Sequence, residues 1–263
     1  MAKDILVSLL SDDLFSLNWM SMLMVRDWRT RAFTEAAFLH PPENCDTGSI
    51  QRVDVIIADI DSFAHNTNLF SNLNEYLSEN PALIVVGVGS RIEPLFFRRV
   101  PAGNIGGYLL KSEVSSSLGW AVSFAYDGFL VFTPSTQQAA FDIGFSSSKP
   151  VRVIQARIYP GMTERQSEIA RLAIIFSVSR RDLADELKIS DQWSYGVVSE
   201  LYEKLGLSDI IADKDIIIAY LEHDSTIKAH IEEILSELGS SKKAKDLETL
   251  AFHILTLPEI NQN

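Results

Sequence analysis

Four stretches of the chain are apolar almost throughout and stop abruptly at polar residues. ILVSLL over residues 5–10 runs into Ser11, Asp12 and Asp13, VDVIIAD over 53–59 ends in Asp59, ALIVVGVG covers 82–89, and GGYLL over 106–110 stops at Lys111. A strand covered on both faces needs apolar side chains at every position, so each run reads as a strand of a parallel sheet. Segments with helical spacing lie between them. Strands alternating with helices make right-handed crossovers and place helices on both faces of the sheet. Residues 1–138 are therefore expected to form one α/β domain built on a doubly wound parallel sheet.

The pattern changes after Pro134. FDIGFSSSKP, over 141–150, mixes Gly, Ser and Pro as a linker does, and VRVIQARI after it reads as an extended arm, so 139–158 is taken as a linker. From Thr163 onward no strand signal is left. Thr163 and Gln166 have capping-box spacing ahead of Ile169, Leu172, Ala173 and Phe176, which repeat at helical intervals. Leu183, Ala184, Leu187 and Ile189 mark a second helix. Val197, Val198, Leu201, Tyr202 and Leu205 mark a third, closed by Gly206 at C′. These helices span 159–207. Residues 208–263 add helical stripes, Ile216, Ile217, Tyr220 and Leu221, then Ile227, Ile231, Ile234, Leu235 and Leu238, which need a partner surface either within the chain or in a second copy.

A length of 263 residues fits about two domains, and 46% hydrophobic with 22% charged residues is ordinary for a globular protein. Cys45 is the single cysteine, which excludes an internal disulfide and fits a reducing compartment. No window reaches 18 consecutive apolar residues, so no membrane span is expected and a cytoplasmic location is. The net charge of -12 repels polyanions on average, so contact with DNA requires a local basic patch.

Ligands of doubly wound sheets bind outside the carboxyl ends of the strands, where Asp12, Asp13, Asp59 and Lys111 all fall. Such acids are either solvated carboxylates at loop starts or a convergent set. Convergent carboxylates repel one another without a cation, which predicts Mg²⁺ on oxygen ligands. The histidines His40, His65, His223, His230 and His253 lack metal-ligand spacing, and Met20, Met22 and Met24 near Trp19 read as core filling.

ILVSLLSDD, DVIIADID, ALIVVGVG and GYLLK, in that order and separation, resemble the receiver domain of two-component response regulators of the NarL/FixJ type. The resemblance implies a flavodoxin-like receiver fold. It makes Asp12 and Asp13 the acid pair, Asp59 the phosphoacceptor, Asp61 a metal contact through its backbone carbonyl, Lys111 the phosphate-contacting lysine and Tyr108 the aromatic switch. Two positions depart from the family pattern. Gly87 stands where a coupling Ser or Thr is expected, and Phe63 replaces a proline four residues after Asp59. The missing hydroxyl predicts weak phosphate-driven switching.

MTERQSEIARLA, RRDLADELKIS and the segment ending YEKLGL resemble the LuxR-type helix-turn-helix that follows such receivers. In place of the family's T-V-K-x-H pattern this chain has Trp193, Ser194, Tyr195, Gly196 and Val197. Among residues 190–197 only Gln192 offers bidentate readout. Between 159 and 207 there are six Lys or Arg and eight Asp or Glu, a net of -2, and Arg180 and Arg181 are the one adjacent basic pair. Over 208–263 five Lys face eleven Asp or Glu, a net of -6.

The expected protein is an atypical response regulator in signalling and transcription regulation, not an enzyme. It would be a homodimer with DNA, a sensor kinase or another regulator as partner. The rival reading is a protein-interaction adaptor with Trp193 and Tyr195 as anchors.

Overall fold

The computed structural model describes residues 4–30, 33–36, 53–65, 68–157, 159, 161–207, 209, 224–238 and 244–261. Two compact units make up the chain, one of Lys3–Ala156 with Pro258–Asn263, the other Arg157–Leu257. His40, Cys45, His223 and the stripe Ile216, Ile217, Tyr220 and Leu221 lie outside the described residues.

The first unit is an eight-stranded sheet of order β2-β1-β3-β4-β5-β6-β7-β8. The strands are β1 (Val7–Leu10), β2 (Phe33–Ala36), β3 (Val55–Asp59), β4 (Ile84–Gly89), β5 (Ile105–Leu110), β6 (Leu130–Phe132), β7 (Val151–Gln155) and β8 (Glu259–Asn261). The first seven run parallel and β8 antiparallel to β7. β1, β3 and β5 are buried nearly end to end, as continuous apolar runs require. Helices α1 (Leu14–Arg26), α2 (Ile60–His65), α3 (Asn68–Glu79), α4 (Leu95–Arg99), α5 (Lys111–Val114), α6 (Leu118–Tyr126) and α7 (Pro134–Asp142) link them. In α1, Leu17, Met20, Leu23 and Met24 are buried, so Met20 and Met24 fill the core as expected. α6 is apolar all round and buried along Leu118–Ala125, the pattern of a helix enclosed on every side.

The sheet does not stop where the sequence pattern suggested. Residues 139–158, expected as a linker, hold the end of α7 and then β7, which pairs with β6 through Leu130↔Val151 and Phe132↔Val153. Phe145 packs on Phe97 with ring centroids 5.1 Å apart, and Lys149 Nζ donates to the carbonyls of Gly103 and Ile105 at 3.0 and 2.9 Å. The Gly, Ser and Pro content of the segment serves the loop between α7 and β7. The extension returns to the same sheet as β8, with Gln155↔Glu259 in register.

Two glycines set the approach of neighbouring strands. β4 and β5 pair Val85↔Ile105 and then Val86↔Gly107, so Gly106 is the bulged residue, and a Cβ there would lie 2.3 Å from Ile84 Cγ2. A Cβ on Gly107 would lie 2.1 Å from the carbonyl oxygen of Val131 in β6.

The second unit is helical. α8 (Glu164–Ala170) carries the Thr163/Gln166 capping box and runs into a π-helical turn, Arg171–Ile175. α9 (Arg180–Leu187) is capped by Ser179 and ends on Lys188 at φ 55°. α10 (Asp191–Lys204) is capped by Ser190, and Gly206 follows at φ +67°, the left-handed position expected of it. α9, a short turn and α10 make a helix-turn-helix. α11 (Ser225–Leu238) and α12 (Ala244–Leu255) follow, and Ile227, Ile231, Ile234 and Leu235 are buried within the chain.

Candidate functional site

β1, β3 and β5 release their polar residues at the same edge of the sheet because they run parallel. Asp59, the last residue of β3, is fully buried. The Lys111 ammonium reaches over from the start of α5 and donates to Asp59 Oδ1 at 2.9 Å, Asp61 Oδ2 at 2.9 Å and Ser16 Oγ at 2.8 Å. Asp59 Oδ2 accepts from Ser11 Oγ at 2.7 Å and Ser62 Oγ at 3.5 Å. Asp61 Oδ2 also accepts the Ser90 amide at 2.8 Å.

The acid pair behaves differently from expectation. Asp13 is the N-cap of α1, its oxygens accepting from Phe15 N at 3.2 Å, Ser16 N at 2.9 Å and Ser16 Oγ at 2.6 Å. Those bonds, led by the Ser16 hydroxyl, hold its carboxyl below the usual range. Asp12 is exposed, and its amide donates to Ser62 Oγ at 3.1 Å. The side chain that leaves β1 for Asp59 is Ser11, a residue the sequence reading passed over. Among the described residues, Asp12, Asp13, Asp59 and Asp61 supply no three carboxylates with oxygens within 4.8 Å of one another. At the end of β1 the side chain that reaches Asp59 is thus a neutral hydroxyl rather than one of the expected acids.

The lysine is matched to its acceptors. Burial alone pulls the Lys111 ammonium down, but its bonds to Asp59 and Asp61 outweigh this and raise it. Burial likewise pushes the Asp61 carboxyl up, and the Lys111 and Ser90 donors bring it below its ordinary 3.8. The Asp61 contribution to stability is thus present above pH 3.8 and lost as pH falls through the lower folded value. That of Lys111 is present below 10.5 and lost as pH rises through its higher folded value. The stability difference between wild type and Asp61→Asn is expected to be constant from about pH 5 to 9 and to shrink toward zero below the carboxylate range. Urea unfolding at several pH values measures it.

Tyr108 is buried, its hydroxyl donating to Arg91 O at 2.8 Å and accepting from Glu93 N at 2.9 Å. Its ring packs against both Phe96 and Phe97, at 5.1 and 5.5 Å, and burial raises its phenol well above the ordinary range. The position expected to couple pocket and aromatic was Gly87. A Cβ there would instead meet the Phe96 ring at 3.0 Å and Tyr108 Cδ2 at 3.1 Å, inside the core. Gly89 is the residue between the two: its Cβ would lie 3.2 Å from the Tyr108 hydroxyl and 3.6 Å from Asp61 Oδ1. Both positions are glycine, so the hydroxyl is missing in either register. Phe63 is buried against Phe70 at 4.9 Å, a core role.

In the second unit, Ser194, Val198 and Leu201 are buried while Gln192, Trp193 and Tyr195 are exposed, Trp193 and Tyr195 at 61% each. Arg180 lies with its guanidinium carbon 6.0 Å from the Tyr195 ring centre, and Arg181 is exposed. Gln166 links α8 to α10, donating to Glu200 Oε1 at 3.2 Å and accepting from Lys204 Nζ at 2.9 Å. No helix among the described residues is long and apolar enough to cross a membrane.

No family model matches the chain, and no curated protein does. Among solved structures it is similar to the response regulator ChrA of a heme-sensing two-component system, at 20% identity over 78% of this chain and 92% of that one, TM-score 0.40. It is also similar to the RcsB response regulator of Salmonella typhimurium, at 15% identity over 78% and 93%, TM-score 0.40. An RcsB–DNA complex matches at 16% identity over 78% and 93%, TM-score 0.39.

Proposed function

We propose that the chain is an atypical response regulator, acting in signal transduction and the regulation of transcription, whose pocket aspartate is held by a lysine of the same chain. The observation that carries this reading is a buried aspartate held by a lysine at the carboxyl end of β3, in a sheet whose order begins 2-1-3-4-5, in one chain with a helix-turn-helix. Phosphoryl transfer to Asp59 is disfavoured because both its oxygens are already engaged, by Lys111 and by the Ser11 and Ser62 hydroxyls. Coupling to Tyr108 is weak because Gly89 carries no hydroxyl and Tyr108 is tied to the Arg91 and Glu93 backbone. Among residues 190–197, at the N-terminal end of α10, Gln192 is the one bidentate base reader. At about 1–3 kcal/mol per good base contact, that is short of the roughly 4–10 kcal/mol separating specific from nonspecific sites. A protein partner, such as a sensor kinase, another regulator or a second copy, would meet Trp193 and Tyr195 instead.

Retention of duplex DNA by the full chain, measured across salt concentrations with and without acetyl phosphate, tests the reading alongside intact mass. Weak retention with a shallow salt slope, unchanged by the phosphodonor, is the expected result. No retention at any salt concentration would favour the adaptor. A steep slope, preference for one operator and a phosphoryl mass gain would make the protein a conventional regulator.

A further inference from the structure

The pocket carries its own cation, and we propose that Lys111 together with Ser11 keeps it closed to Mg²⁺. This deepens the reading of the same pocket given above. The ammonium has three N–H groups and three acceptors within 2.9 Å, on Asp59, Asp61 and Ser16. Ser16 in turn donates to Asp13 Oδ2 at 2.6 Å, so the lysine is linked to the cap of α1 as well as to the end of β3 and the first turn of α2. Both oxygens of the fully buried Asp59 are engaged, one by Lys111 and one by Ser11 and Ser62.

Mg²⁺ demands near-octahedral oxygen coordination and gives up water reluctantly. To reach Asp59 it would have to displace an ammonium bonded to three acceptors at once. The ion's second carboxylate would have to be Asp61, which already accepts from Lys111 and the Ser90 amide, because Asp13 caps the first turn of its own helix. The residue that reaches Asp59 from the end of β1 is Ser11, which is neutral and buried. The distinction between an ammonium-filled pocket and a divalent-cation pocket therefore rests on residue 11. An acid there would add charge where a hydroxyl now sits.

Thermal unfolding of the full chain, followed by tryptophan fluorescence at constant ionic strength with Mg²⁺ from zero to about 10 mM, tests this. Wild type is expected to shift by less than about 1 °C, and Ser11→Asp to gain a saturable rise of about 2–5 °C. Ser11→Ala, which adds no charge, is expected to stay as insensitive as wild type. A saturable rise in wild type overturns the proposal, as does a folded Ser11→Asp that ignores the ion. If Ser11→Asp does not fold without metal, the wild-type and Ser11→Ala curves decide the matter. DNA retention is unaffected by either outcome, so failure here is distinct from failure of the regulatory reading.

Discussion

Replacing Lys111 by Met is expected to lower the stability of the protein by about 3–5 kcal/mol, the usual cost of leaving one member of a buried ion pair alone. Asp59 has no solvent of its own, and the lysine side chain is only 19% exposed, so water cannot take over the lost bond. Asp61 loses its ammonium partner too, though at 29% exposure it is partly screened. Met keeps most of the apolar stem, so the loss reports charge rather than volume. Urea unfolding of the variant measures the effect. Adding Asp59→Asn should restore part of the loss, because an amide needs no counter-ion and still accepts from Ser11. A double-mutant cycle that shows no coupling between 111 and 59 would mean the lysine is held by Asp61 and Ser16 instead.

How much of this pocket could be read from the chain depends on the kind of signal each part leaves. β1, β3, β4 and β5 are buried on both faces and therefore appear as unbroken apolar runs, legible without any neighbour. Asp59, Asp61 and Lys111 follow those runs directly, and the structure brings them together. β2, with sequence FTEA, has no such run, and β6 spans three residues, too short for any periodicity. β8 pairs with β7 across more than a hundred residues of sequence, a contact no local pattern encodes.

Ser11, rather than either acid of the pair, bonds Asp59 for a local reason. Ser11, Asp12 and Asp13 form one polar triplet, and which of them faces Asp59 depends on where α1 begins. Asp13 with Ser16 three residues on is an N-cap and its third helical residue, a spacing visible in the sequence. Once Asp13 is committed to the helix, Ser11 is the residue that reaches the pocket. A similar ambiguity in the G-V-G of β4 put the missing hydroxyl at Gly87 rather than Gly89. Both glycines lie on the same face of the strand, and only the position of the Tyr108 hydroxyl separates them.

The second large effect is expected at Gly107, far from any charge. A methyl group there would lie 2.1 Å from the carbonyl oxygen of Val131, well inside contact distance, and the obstacle is backbone, which has no rotamer to change. Either β6 retreats or β5 moves. Retreat breaks the ladder joining Gly107↔Val131 and Tyr108↔Phe132, and β6 in turn carries β7 and β8. Movement of β5 displaces Tyr108, whose hydroxyl is held at both Arg91 and Glu93, and shifts Lys111 three residues on. Overpacking a core costs about 1–3 kcal/mol where side chains can yield. With backbone as the neighbour and ladder bonds worth about 1 kcal/mol each at risk, Gly107→Ala should cost about 3 kcal/mol or more. Gly103 provides the comparison, since a Cβ there meets nothing within 4 Å and Gly103→Ala should stay within about 0.5 kcal/mol of wild type. Chemical denaturation of the two variants, with hydrogen exchange at the β6 amides, separates local loosening from global loss. Equal stability of the two would mean that β5 and β6 do not approach as closely as this register requires, and that the sheet ends at β5.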